Sequence, residues 1–220
     1  MSGYNPFYVA PLVKAGRPKI TFGQTEILHL VGAVVLLSAC VLLARSRDAH
    51  GRFTFDAALA VGAVVAVATG FVLHELAHKV VAQSYGFWAE FRAQFANLAL
   101  SLVLAAFTGV FFAAPGAVVI AGRATPKQAG HIGAVGPAVN VLLAAITYPL
   151  TWGVDSTAFM TKVFDMVSFT NAFLAVFNLL PFGPLDGRKV WRWNKAIFAG
   201  FAVVAVALLV VVWNNIRPGS

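Results

Sequence analysis

A single cysteine, Cys40, in 220 residues rules out an internal disulfide and leaves the redox compartment unread. Charge is also scarce, at 11% of residues against 60% hydrophobic. A soluble domain of this length carries roughly a quarter charged residues to keep its surface wet, so that class is excluded. Only eight carboxylates are present, which shortens any search for acidic ligands. Sixteen basic residues give a net charge of +8. No run of them is interleaved with aromatics, however, so nucleic acid is excluded as a partner. They sit at the ends of apolar blocks, where they anchor helices at a bilayer surface.

Those apolar blocks are what the chain has in abundance. Runs of eighteen or more apolar residues read as membrane-spanning helices. The expected spans are 27–44, 56–84, 128–150, 159–180 and 196–213, after a basic, proline-containing lead-in over 1–25. Trp152, Trp191, Trp193 and Trp213 fall near block ends, as interfacial tryptophans do. Leu37-Ser38-Ala39-Cys40 resembles a lipoprotein cleavage box. The apolar run continues past it to Leu43, which favours a buried cysteine within a helix.

The sharpest signal is His74-Glu75-Leu76-Ala77-His78, at the end of the second apolar run. Chance places about 0.002 such motifs in a chain of this composition. Helical residues four apart lie on one face, so both imidazoles reach one metal ion. Zinc accepts two histidines and a carboxylate and keeps a fourth position open. Glu75, beside the first ligand, is placed to act as general base toward water. Two histidines and a glutamate within an apolar span are costly unless they share a function.

The third ligand is less determined. Glu26, Asp48 and Asp56 lie near the ends of the early spans, and Asp155 and Asp165 fall on the opposite side of the expected topology. Asp186 remains, in Asn178-Leu179-Leu180-Pro181-Phe182-Gly183-Pro184-Leu185-Asp186-Gly187, where prolines stop a helix and glycines let the chain turn. A solvated loop aspartate is the better reading of that segment taken alone.

If Asp186 does meet the histidines, the 56–84 and 159–180 spans run in the same direction, and an odd number of crossings separates them. The 128–150 span supplies one. The apolar block 97–114 is therefore expected to be re-entrant or embedded without crossing, with an ordinary span as the alternative. The segments near 89–95 and 116–121 have strand character and are expected to form a small membrane-embedded sheet. Basic residues are denser on one side. Lys14, Arg17, Lys19, Lys79, Arg92, Arg123, Lys127, Arg188, Lys189, Arg192 and Lys195 oppose Arg45, Arg47, Arg52, Lys162 and Arg217, which points to a cytoplasmic N-terminus.

Three motifs in this order resemble the site-2 protease family of intramembrane zinc metalloproteases. They are the His-Glu-x-x-His of 74–78, Gly136-Pro137-Ala138-Val139-Asn140, and the Asn-x-x-Pro-x-x-Pro-x-Asp-Gly of 178–187. The resemblance covers about residues 56–190. It implies that His74, His78 and Asp186 bind one Zn2+, that Glu75 is the general base, and that Asn140 contacts substrate or the developing oxyanion. A helix-packing amide is the plainer reading of Asn140. His29 and His131 have no evident partner.

The fold expected is thus an all-α polytopic membrane protein of about six transmembrane segments, with a re-entrant segment and a small β element. The resemblance implies one protease domain over 26–220 and a transmembrane protein as substrate, and the charge bias puts the active site toward the cytoplasmic side. Two other functions remain. A protease of prenylated C-termini would take a glutamate as third ligand, and the only later one is Glu90. A metal transporter or sensor would spread its ligands along several spans.

Overall fold

The computed structural model describes residues 20–46, 52–109, 115–155 and 157–215. Most of the basic lead-in over 1–25, and the end of the 97–114 block, lie outside those residues. Helix α1 is Gln24–Arg45; α2, Ala57–Val67, continues through a π-helical turn, Ala68–Val72, into α3, Leu73–Ser84. Strand β1 (Trp88–Ala93), helix α4 (Phe95–Thr108) and strand β2 (Gly116–Ala121) follow. Then come α5 (Pro126–Thr147, extended by one 3-10 turn to Thr151), α6 (Phe159–Asn178), α7 (Asp186–Trp193) and α8 (Lys195–Asn215).

Among the described residues five helices are long and apolar enough to cross a membrane: α1, α2–α3, α5 with its 3-10 turn, α6 and α8. Each matches its expected block to within a few residues. The sixth apolar segment, α4, has only 14 residues. At 1.5 Å per residue it is about 21 Å long, short of the roughly 30 Å hydrocarbon core. It ends at Gly109, whose positive φ of 71° forms a left-handed cap.

Local chemistry sets the helix starts. Asp56 caps α2 by accepting from the Leu59 N–H at 2.7 Å. Thr125 and Gln128 form a reciprocal capping box at α5, with Pro126 in the first turn. The two strands pair antiparallel from Trp88 with Ala121 to Ala93 with Gly116.

Directions follow from contacts at the ends. Asp56, before α2, meets Lys162, near the start of α6, at 2.9 Å. Gly70 packs on Leu174 and Asn171 farther along, so α2–α3 and α6 run parallel. Glu26, at the start of α1, pairs with Lys79, near the end of α3, so α1 runs the other way. The largest core cluster joins α1, α2 and α6, with Cys40 and Phe71 buried in it, and reaches Phe91 of β1. The C-terminal ends of α3 and α6 therefore share one side of the molecule with the sheet, α4 and α7.

Candidate active site

The motif on α3 lies just past the π-helical turn, a widening of the helix that recurs at functional sites. His74, Glu75 and His78 are all buried. His74 Nε2 and His78 Nε2 lie 2.9 Å apart, and Asp186 Oδ2 stands 3.2 Å from the first and 2.9 Å from the second. Asp186 reaches them as the first residue of α7, not from an open loop. Pro181 and Pro184 end α6, and the chain turns at Gly183, whose φ is +61°.

Each imidazole is fixed from behind. His74 Nδ1 lies 2.6 Å from Asn140 Oδ1, and His78 Nδ1 lies 2.5 Å from the Ile132 carbonyl oxygen. Both acceptors require the proton on Nδ1, which leaves each Nε2 lone pair directed at the shared centre. Two imidazole nitrogens and a carboxylate oxygen at one point are a donor set that suits zinc. Glu75 Oε2 is buried without a hydrogen-bond partner, a costly state unless a water or ligand meets it.

Lys189 Nζ donates to Asp186 Oδ1 at 2.8 Å and leaves Oδ2 to the histidines. Burial works against ionising Asp186, and the Lys189 ammonium beside it works the other way, favouring the carboxylate.

Helix α5 presents glycines where these parts converge. A Cβ on Gly136 would meet Nε2 of both histidines, and one on Gly133 would meet Lys189 Cβ at 2.9 Å. Only a bare backbone admits the imidazoles and α7 so close to α5.

Asn140 is fully buried behind His74. Its Nδ2 donates to the Gly70 carbonyl at 2.8 Å and to Asn171 Oδ1 at 2.9 Å. Both of its polar atoms are thus engaged with protein, and it is absent from the cavity lining. In this arrangement Asn140 meets His74, Gly70 and Asn171. Asn171, which sequence reasoning missed, completes the chain of amides; it reads as one more polar residue in a span.

The cavity before the site is lined by His74, Glu75, His78 and Asp186, by apolar side chains of α1 and α2, and by β2. Among the described residues these three ligand candidates are the one group of its kind, unlike the dispersed ligands of a transporter. Glu90, the alternative third ligand, instead pairs with Arg92 at 2.5 Å on β1.

Over 155 residues the chain is 39% identical to a Methanocaldococcus jannaschii protein named "Putative zinc metalloprotease MJ0611", covering 68% of this chain and 80% of that protein. The chain belongs to the site-2 protease family. Rip3 of Mycobacterium tuberculosis, which carries the same description, is 34% identical over 138 residues. That match covers 61% of this chain but only 31% of Rip3. No family model and no solved structure matches the chain. The site-2 protease described here is therefore an integral membrane zinc metalloprotease by family, with the three candidate ligands in one place.

Proposed function

We propose that this chain is an intramembrane endopeptidase that cuts transmembrane segments of other proteins, as in regulated intramembrane proteolysis. The observation that carries this reading is the convergence of His74, His78 and Asp186 beside the unpartnered Glu75 Oε2, all facing one cavity.

His74, His78 and Asp186 would hold the zinc ion, which would supply Lewis acidity toward water and the scissile carbonyl. Glu75 accepts the proton of the attacking water and returns it to the departing nitrogen. Asn140 fixes the His74 tautomer, and the Ile132 carbonyl fixes that of His78. A transmembrane helix hides its peptide bonds in its own hydrogen bonds, so it must unwind locally, and the freed backbone needs new partners. Strand β2 lines the cavity, and an unwound segment adds to the sheet as a further strand. The basic residues on the site's side favour its facing the cytoplasm, with a cytoplasmic N-terminus.

The test pairs zinc content with cleavage of a model transmembrane substrate. Glu75→Gln is expected to keep zinc and lose at least about a hundredfold in kcat. Asp186→Ala is expected to lose both zinc and cleavage. A Glu75→Gln variant that cuts as fast as the parent removes Glu75 from the mechanism.

A further inference from the structure

The small sheet has two outer edges, and among the described residues only one of them is open. Gln94 N–H donates to the Pro115 carbonyl at 2.7 Å, which sets the alternation of the ladder. In an antiparallel pair successive residues turn their N–H and C=O alternately toward and away from the partner. Even-numbered residues of β1 therefore face β2, and Ala89, Phe91 and Ala93 face outward.

All three outward residues are met by side chains. The Phe91 N–H donates to Glu26 Oε1 at 3.1 Å, and the Ala93 N–H donates to His29 Nδ1 at 3.1 Å. Gln83 Nε2 donates to the Ala89 carbonyl at 3.4 Å. Glu26 and His29 stand three residues apart, on one face of α1, and so present neighbouring side chains to β1.

On β2 the outward residues are Gly116, Val118 and Ile120. All three line the cavity, and no hydrogen bond to the outward groups of Val118 or Ile120 is found among the described residues.

We infer that Glu26, His29 and Gln83 are positioning residues that seal the β1 edge, so that substrate pairs with β2 alone. The inference rests on the strand-addition reading above. Glu26 has a second task. Its Oε2 pairs with Lys79, which follows His78 directly on α3, and both charges are almost wholly buried. One carboxylate thus ties the backbone of β1 to the helix that carries the metal ligands. Buried charges inside a membrane protein are costly and mark function more often than stability.

Two measurements test this. The first traps bound substrate in the full chain carrying Cys40→Ala and Glu75→Gln, using model transmembrane segments with one cysteine each. Disulfides are expected from Ala117→Cys and Val119→Cys on β2, and not from Glu90→Cys or Arg92→Cys on β1. Trapping from β1 at equal yield, or none from β2, overturns the inference. Because this chain is catalytically disabled, the result stands apart from the protease reading, whose failure shows as a parent that binds but does not cut.

The second compares two double variants in an active chain. Glu26→Gln with Lys79→Met keeps an acceptor for the Phe91 N–H, and KM is expected to stay near the parent's. Glu26→Leu with Lys79→Met removes that acceptor without stranding a charge. It is expected to raise KM about tenfold, the loss of roughly one hydrogen bond, with zinc content and kcat held. Equal KM in both variants, or loss of zinc in both, overturns the positioning role.

Discussion

At the scale of single residues, the metal-binding geometry depends on groups that never touch the metal. Asn140 is the clearest case, because its Oδ1 faces His74 Nδ1 while its Nδ2 reaches Gly70 and Asn171. Truncation to Asn140→Ala frees the His74 ring to change tautomer and strands the Gly70 carbonyl. Zinc affinity is expected to fall about 10- to 100-fold, the usual cost of losing such an outer partner, as measured by competition with a chelator. Gly136→Ala tests the opposite face of the site. Its added methyl would occupy space held by both Nε2 atoms, so zinc binding should be lost while helix content by circular dichroism is retained. The sequence made these residues unequally legible. His74, Glu75 and His78 announce themselves through helical spacing in an apolar run. Asp186 was one of eight carboxylates and needed family resemblance to stand out. Glu26 and His29 carried no signal, because a carboxylate near a span end and a lone imidazole are ordinary until the strand beside them is placed.

Among the elements, the long spans were legible because each is a continuous apolar run, and the strands because residues alternate over 89–95. The strand ends at Ala93, and Phe95 already begins α4. Helix α7 escaped notice since eight residues with three cations and a glycine near the start look like loop, and the helix forms where Val190 packs inward. The π-helical turn is likewise invisible in Ala68–Val72, because a single widened turn has no composition of its own. The ladder of the sheet makes a prediction that distinguishes its two edges. Val118→Pro removes an outward N–H and leaves the bonds to β1 intact, so KM should rise about tenfold with zinc retained. Val119→Pro removes an N–H that faces Glu90, so it should instead loosen the sheet and lower the unfolding temperature. Gly116 does not offer this test. Any Cβ there would meet the Arg92 carbonyl, and the sheet itself would be disturbed.

For the whole molecule, five candidate crossings put the two ends of the described chain on opposite sides of the bilayer. A metal site shared by α3 and the residue after α6 requires α2–α3 and α6 to run parallel, and the Asp56–Lys162 contact at one end with Gly70 against Leu174 farther along shows that they do. The side that carries the site also carries Arg92, Arg123, Lys127, Arg188, Arg192 and Lys195, whereas Arg45, Arg52 and Lys162 lie on the other. Lys79 adds nothing to this bias, since Glu26 neutralises it inside the protein. From the remaining excess we propose that the site faces the cytoplasm, by the positive-inside rule. The connection between α5 and α6, near Trp152 to Asp155, should then lie outside. A phosphatase active only beyond the cytoplasm, fused into that connection, is expected to be active in a bacterial host. The same reporter fused at Tyr85–Phe87, after α3, is expected to be silent. Reversed activities would invert the molecule, turn the cavity and its open strand edge outward, and require substrates to unwind from the extracytoplasmic side.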